Sequence, residues 1–156
     1  MARIPVTLLS GYLGSGKTTL LLHLLHDAHD KRIGIVVNDL AATNIDAKTI
    51  QQSQDFTDND KLVAISGGSI GSDYRQSFCD AIYTLANSGT IDLLVVEASG
   101  IARPQLAAKA IVGGRNSEGR TLCTVCRRSD RRLLRSHLRM STLPTQKRLM
   151  LIISRF

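Results

Sequence analysis

Apolar positions along this chain fall into short unbroken runs, separated by stretches in which they recur at helical spacing. Ile4 to Leu9, IGIVV at 33–37, LVAI at 62–65 and IDLLVV at 91–96 each read as a strand buried on both faces. Leu20, Leu21, Leu24 and Leu25, with Ala28, give the core side of a helix from Thr18 to about His29. Tyr74, Phe78, Ile82 and Leu85 line one face of a second helix within 73–89, which Asn87-Ser88-Gly89 ends. The segment 40–61 is polar and poorly periodic, so a short helix with flexible edges is expected there. Strand, helix, strand, strand, helix, strand, with near-continuous apolar strands, predicts an α/β fold: a mainly parallel sheet with helices on both faces.

The first strand runs into GYLGSGKT, residues 11–18, which satisfies G-x-x-x-x-G-K-[ST]. A strand before the motif and a helix after it are the context this chemistry needs. Gly11, Gly14 and Gly16 let the backbone turn inward so that successive N–H groups, including those of Ser15 and Thr19, face one phosphate. The helix N-terminus adds its positive dipole end. Lys17 then reaches the β- and γ-phosphate oxygens, and the Thr18 hydroxyl is a ligand for Mg²⁺. A glycine turn that merely caps a helix leaves the Lys-Thr order unexplained. Hydrolysis also needs an acid at a neighbouring strand end, and VVEASG at 95–100 offers Glu97 there, followed by Gly100, whose N–H can approach a γ-phosphate.

Composition changes this picture in two places. The 156 residues carry a net charge of +7, but residues 1–111 hold 9 Lys and Arg against 11 Asp and Glu, whereas 112–156 hold 11 against 2. The body is mildly acidic and the basicity belongs to the tail, so any nucleic-acid argument concerns the tail alone. Three cysteines, Cys79, Cys123 and Cys126, make no disulfide framework and fit a reducing compartment, which makes cytoplasm the expected location. No apolar run reaches membrane-spanning length, and the opening apolar stretch does not read as a signal peptide.

With both motifs in view, the chain resembles the CobW/HypB/UreG family of P-loop GTPases, above all its CobW-like metal-chaperone branch. The likeness rests on PVTLLSGYLGSGKTTLLLHLL at 5–25, VVNDLAATNID at 36–46 and DLLVVEASGIARP at 92–104. It implies a three-layer P-loop NTPase domain over 1–111, incomplete at its C-terminal end, with 112–156 a basic divergent tail. It also implies GTP as substrate, Mg²⁺ as cofactor, and hydrolysis that gates delivery of a metal ion to a receiving protein, with pairing of two copies around nucleotide. Under the resemblance Lys17 and Thr18 take the phosphate and magnesium roles. Asp39 and Asp46 fall where the family places acids near Mg²⁺ and the γ-phosphate, and Glu97 falls on the acid of E-x-x-G.

The same resemblance gives meaning to SGGSIGSD at 66–73. Relatives carry G-C-x-C-C after the third strand, and here the place reads Gly68-Ser69-Ile70-Gly71-Ser72. Hydroxyls and a missing side chain do not replace soft thiolate ligands for zinc or cobalt. The stretch therefore reads as an emptied metal site, with a second phosphate cradle lacking its lysine and a simple tight turn as alternatives. Ala42 stands where relatives often carry Glu.

Weaker patterns remain. His23, His26 and His29 drift about 60° around the helix per step and read as its solvated side. Cys123-x-x-Cys126 with His137 falls short of a four-ligand zinc site. Arg131, Arg135 and Arg139 beside Leu134 and Leu138 form a basic amphipathic pattern without aromatic residues for base stacking. Arg, Leu and Ser make up 22 of the 45 residues from 112, against 27 of 111 before, as either a changed reading frame or a divergent tail would give. The element that reads guanine in relatives is not found, and Thr145-Gln146-Lys147-Arg148 does not supply it. Three functions follow as expectations: a GTPase slow without a partner, a module that holds nucleotide without turnover, and a tail-mediated nucleic-acid binder. The tail composition weighs against the last.

Overall fold

The computed structural model describes residues 4–27, 31–39, 45–66, 72–98, 104–122, 126–128 and 149–152. Strand β1 (Ile4–Gly11) leads through the glycine loop into helix α1 (Lys17–Asp27). Strand β2 (Ile33–Asp39), the short helix α2 (Ile45–Gln51) and β3 (Lys61–Ser66) follow, then α3 (Ser72–Asn87), β4 (Leu93–Glu97) and α4 (Pro104–Gly113). Two short strands, β5 (Cys126–Arg128) and β6 (Leu149–Ile152), complete the described elements. The apolar runs become strands within one or two residues of their expected ends. Helix α4 was not expected, although Pro104 at its first turn and the Gly113-Gly114 pair at its end are ordinary boundary signals.

The sheet order is β3-β2-β4-β1-β5, with β2, β3, β4 and β5 all in parallel pairings and β6 antiparallel to β1. Alternation along the strands sends successive side chains to opposite faces. Leu9, Ile33, Ile35, Val37, Leu93 and Val95 pack under Leu21, Leu24 and Leu25 of α1 and Ile50 of α2. Val6, Leu8, Val36, Leu94 and Val96 face Phe78, Ile82 and Leu85 of α3 and Ala107, Ala110 and Ile111 of α4. The result is three layers, helix, sheet and helix. Gly34 is small because the Ile91 Cδ1 atom lies 2.6 Å from where a Cβ would sit.

Strand β4 inserts between β2 and β1, and its residues 94–96 are fully buried. The edge that later residues cover is that of β1: β5 pairs with Ile4 to Val6 and β6 with Leu8 to Gly11 along the same side. Residues 114–122 also join the body. Asn116 and Arg120 close a turn, the Ser117 N–H donates to Asp80 Oδ1 at 2.6 Å, and Leu122 is 0% exposed within the α3–α4 core. Among the described residues no helix is long and apolar enough to cross a membrane.

All four parallel strands β1 to β4 point the same way, so their carboxyl ends lie along one edge. There Leu9, Glu97 and Val37 stand in register across three strands, and Asp39 stands opposite Ser66. Such an edge, outside the carboxyl ends of an open parallel sheet, is where ligands bind.

Candidate nucleotide site

The glycine loop is built around its lysine. Lys17 opens α1 with only 7% of its surface exposed, and its Nζ donates to the Gly11 and Tyr12 carbonyls, each at 3.1 Å. The turn closes with the Ser15 N–H donating to the Tyr12 carbonyl at 3.1 Å, and the first helical bond runs from Leu20 N–H to the Gly16 carbonyl at 2.8 Å. Gly14 and Gly16 have φ of +70° and +89°, which side-chain-bearing residues rarely adopt. Gly11 ends β1 and is not among the positive-φ glycines, so the inward turn is the work of the other two. No acidic residue occupies the first turn of α1, and a buried ammonium lies at the helix end that is already positive. That surplus of positive potential is relieved by an anion, and a phosphate has the charge and the acceptors to do it.

Thr18 and Glu97 meet, as the phosphate-loop and strand-end motifs require. The Thr18 Oγ1 hydroxyl donates to Glu97 Oε1 at 3.2 Å, across 79 residues of sequence, with Glu97 only 2% exposed. Mg²⁺ takes hard oxygen ligands and keeps several waters, so it needs few protein groups beside substrate phosphates. A hydroxyl and a carboxylate touching beside the phosphate loop fit that ion. The Ser15 Oγ atom is buried in the loop without a hydrogen-bond partner among the described residues. Thr19 is exposed on the first turn.

Of the remaining candidate residues, two fall within the described elements. Asp39 closes β2 and Asp46 lies in the first turn of α2, both described at the level of the backbone. Gly100 falls outside the described residues, as do 67–71 of the SGGSIGSD stretch, of which Ser66 ends β3 and Ser72 begins α3. Cys123, His137, residues 131–140 and residues 145–148 also lie outside them.

One residue of this edge escaped the sequence reading. Asn38, the neighbour of Asp39, is 5% exposed and its Oδ1 has no hydrogen-bond partner among the described residues. A polar side chain within an apolar strand run, one residue before the expected acid, was the available signal.

Elsewhere the polar contacts are structural. His23 and His26 are exposed, as expected of the solvated side of α1. His26 Nδ1 lies 3.0 Å from Asp55 Oδ1, and this bond raises the imidazole above its usual range. Arg32 grips Asp92 at the opposite edge of the sheet, and that pairing holds the Asp92 carboxyl down at about 2. Cys79 is buried beside α4, and burial pushes its thiol up. Among the described residues no group of three or more His, Cys, Asp or Glu could hold a metal ion.

Residues 5–127 match the family model described as CobW/HypB/UreG, nucleotide-binding domain. The match runs past the end of the resemblance read from the motifs and takes in α4, the turn at 116–119 and the start of β5. The chain is 36% identical over 110 residues to the zinc-regulated GTPase metalloprotein activator 1 of Dictyostelium discoideum, covering 65% of this chain and 23% of that protein. It is 31% identical over 130 residues to the zinc chaperone CobW of Pseudomonas aeruginosa, covering 80% of this chain and 34% of that one. It is 33% identical over 109 residues to the zinc chaperone YjiA of Escherichia coli, covering 67% and 33%. The chain thus spans about a quarter to a third of the length of these relatives. No solved structure matches it.

Proposed function

Because the chain belongs to the CobW/HypB/UreG family of nucleotide-binding domains, we propose that it binds GTP with Mg²⁺ at residues 11–19 and hydrolyses it slowly, as the nucleotide-handling part of a metal-chaperone system. The observation that carries this reading is the meeting of Thr18 and Glu97 beside a loop already wrapped around Lys17. The loop N–H groups and Lys17 hold phosphate oxygens, with the ammonium exchanging its carbonyl partners for them. Thr18 and Glu97 would hold Mg²⁺, which supplies charge neutralisation on the β- and γ-phosphates. Asp39, Asp46 and Gly100 complete the γ-phosphate side of the site in this proposal. Guanine preference, a metal-receiving partner, pairing of two copies and a cytoplasmic setting belong to it as well, supported by relatives named as a zinc-regulated GTPase metalloprotein activator and as zinc chaperones.

Zinc handling is assigned to no residue here. Ser69, Gly71 and Ser72 provide no thiolate where relatives carry cysteines. A second reading, a module that holds nucleotide without turnover, draws on Ala42 in the position where relatives often place a Glu.

Calorimetric titration with GTP and with ATP, with and without Mg²⁺, tests the first claim. The wild-type chain is expected to bind GTP in a Mg²⁺-dependent manner, and Lys17→Ala to lose that binding. A folded chain that binds neither nucleotide overturns the proposal. Phosphate release then separates the two readings, since a holding module binds without releasing phosphate.

A further inference from the structure

Strand β1 is held over different lengths on its two sides. Pairing with β4 runs from Val6 to Leu9 and ends there. Pairing with β6 runs from Leu8 to Gly11, so among the described residues Ser10 and Gly11 have a strand partner on the β6 side alone. The phosphate loop departs from these two residues, and bonds within it converge on the carbonyls that follow directly. Lys17 Nζ donates to the Gly11 and Tyr12 carbonyls, and the Ser15 N–H donates to Tyr12 as well. Where Gly11 lies thus decides where the lysine ammonium lies.

The hydrogen-bond pattern says which residue of β6 does the holding. The N–H and C=O of one strand residue point to the same side, and those of its neighbours to the other. The Ala98 N–H donates to the Leu9 carbonyl at 2.8 Å, so Leu9 and, two residues on, Gly11 turn their backbone groups away from β6. Ser10 turns its own toward β6. It stands directly opposite Met150, and an antiparallel pair so placed exchanges both backbone bonds. Leu149 and Leu151 point their N–H groups outward, where no described strand meets them.

Resting on the nucleotide-binding reading above, we propose that β6 is a positioning strand for the phosphate loop. The Ser10–Met150 backbone pair holds the base of the loop in the shape that places Lys17 for phosphate before any nucleotide arrives. A chain without this pair has to order Ser10, Gly11 and Tyr12 at the moment of binding, and that ordering is taken from the affinity. No atom of β6 touches the nucleotide in this scheme. The strand acts through Gly11 on Lys17, so residues 149–152, far from the motif in sequence, set how well the motif binds.

The test is calorimetric titration of GDP and of a non-hydrolysable GTP analogue, each with Mg²⁺, into the wild-type chain, Met150→Pro and Leu151→Pro, with the melting temperature of each nucleotide-free protein. Proline has no N–H, so Met150→Pro deletes the bond to the Ser10 carbonyl. Leu151→Pro removes only an outward N–H, where an edge strand tolerates proline. At a temperature where each chain is folded, Met150→Pro is expected to weaken both nucleotides about tenfold, the cost of ordering one residue's backbone at binding. Leu151→Pro is expected to bind both as wild type does. A chain ended after Arg148, which removes β6 without introducing proline, is expected to match Met150→Pro and decides the matter if that variant does not fold. Lower melting temperatures with unchanged affinities would make β6 a structural cover and overturn the inference, and so would equal weakening by the two prolines. A wild-type chain that binds neither nucleotide overturns the nucleotide-binding reading itself, a result distinguishable from these.

Discussion

Single side chains of this molecule divide between two edges of one sheet. At the carboxyl edge Lys17, Glu97 and Asn38 are buried and Thr18 is half-buried, with Thr18 and Glu97 in contact beside the glycine loop. At the opposite edge Arg32 and Asp92 tie the starts of β2 and β4, with Arg32 Nη2 donating to Asp92 Oδ1 at 2.8 Å and the Arg32 backbone N–H to Oδ2 at 3.0 Å. The guanidinium is the larger cause, and the backbone bond the second, of an Asp92 carboxyl lowered from 3.8 to about 2. A carboxyl lowered by folding contributes stability that is fully present above its unfolded value and is lost as pH falls through the folded one. The pair's share should therefore fade between about pH 4 and pH 2. With Asp92 43% exposed, water screens the pair and the effect stays under about 1 kcal/mol. Urea unfolding followed from pH 7 to pH 2 should show Asp92→Asn slightly less stable than wild type at neutral pH and equal to it near pH 2. A constant gap over that range would mean the carboxylate charge is not what matters.

Residues of the carboxyl edge were unequally legible in the sequence. Lys17 and Thr18 stand out because the glycine spacing before them is itself a recognisable pattern. Glu97 needed the strand before it and the phosphate loop elsewhere to acquire meaning. Asn38 was silent, since an asparagine in VVND reads as an ordinary strand end and its burial shows only in the fold.

Among the elements, strands and helices α1 and α3 could be placed from apolar spacing alone, because each buries a continuous stripe. The order of strands could not. Insertion of β4 between β1 and β2 is set by pairing over distances of more than fifty residues, and nothing within LLVV distinguishes a central strand from an edge one. Helix α4 was missed because its core side is made of Ala107, Ala110 and Ile111, small side chains that leave a faint stripe. Those alanines have a reason. The path out of α4 runs so close to α3 that a Cβ on Gly114 would meet the Ala110 carbonyl and lie 2.7 Å from Cys79 Sγ. Gly114→Ala is therefore expected to destabilise the fold by about 1–3 kcal/mol, as overpacking in a close-set core does. Equilibrium urea unfolding measures it, and a cost near zero would show that the turn can move away from α3.

At the scale of the whole molecule, two contacts of the later described residues bear most on the fold. Leu122 fills the α3–α4 core, and β5 and β6 between them occupy the outer side of β1. Ending the chain after Gly113 removes both. Loss of Leu122 alone is expected to cost about 2–3 kcal/mol, and the uncovered backbone of β1 becomes a template for pairing with other chains. The shortened protein should melt lower and form larger species in sedimentation. If it melts as the full chain does and stays monomeric, residues 114–156 do not stabilise the body.

The shared side of β1 also sets a clock. Gly11, the residue from which the phosphate loop departs, takes its outer partner from Leu149, and Ile4 takes its own from Cys126. During synthesis at about 5–20 residues per second, the strand made first waits on the order of ten seconds before either partner exists. Over that interval the founding strand of the sheet has one flank open while its neighbours assemble on the other. Long-range closure of this sort slows folding and lengthens exposure to wrong partners. The order in which the ribosome delivers the chain, and not only its final contacts, thus becomes a determinant of how much of it reaches the native state.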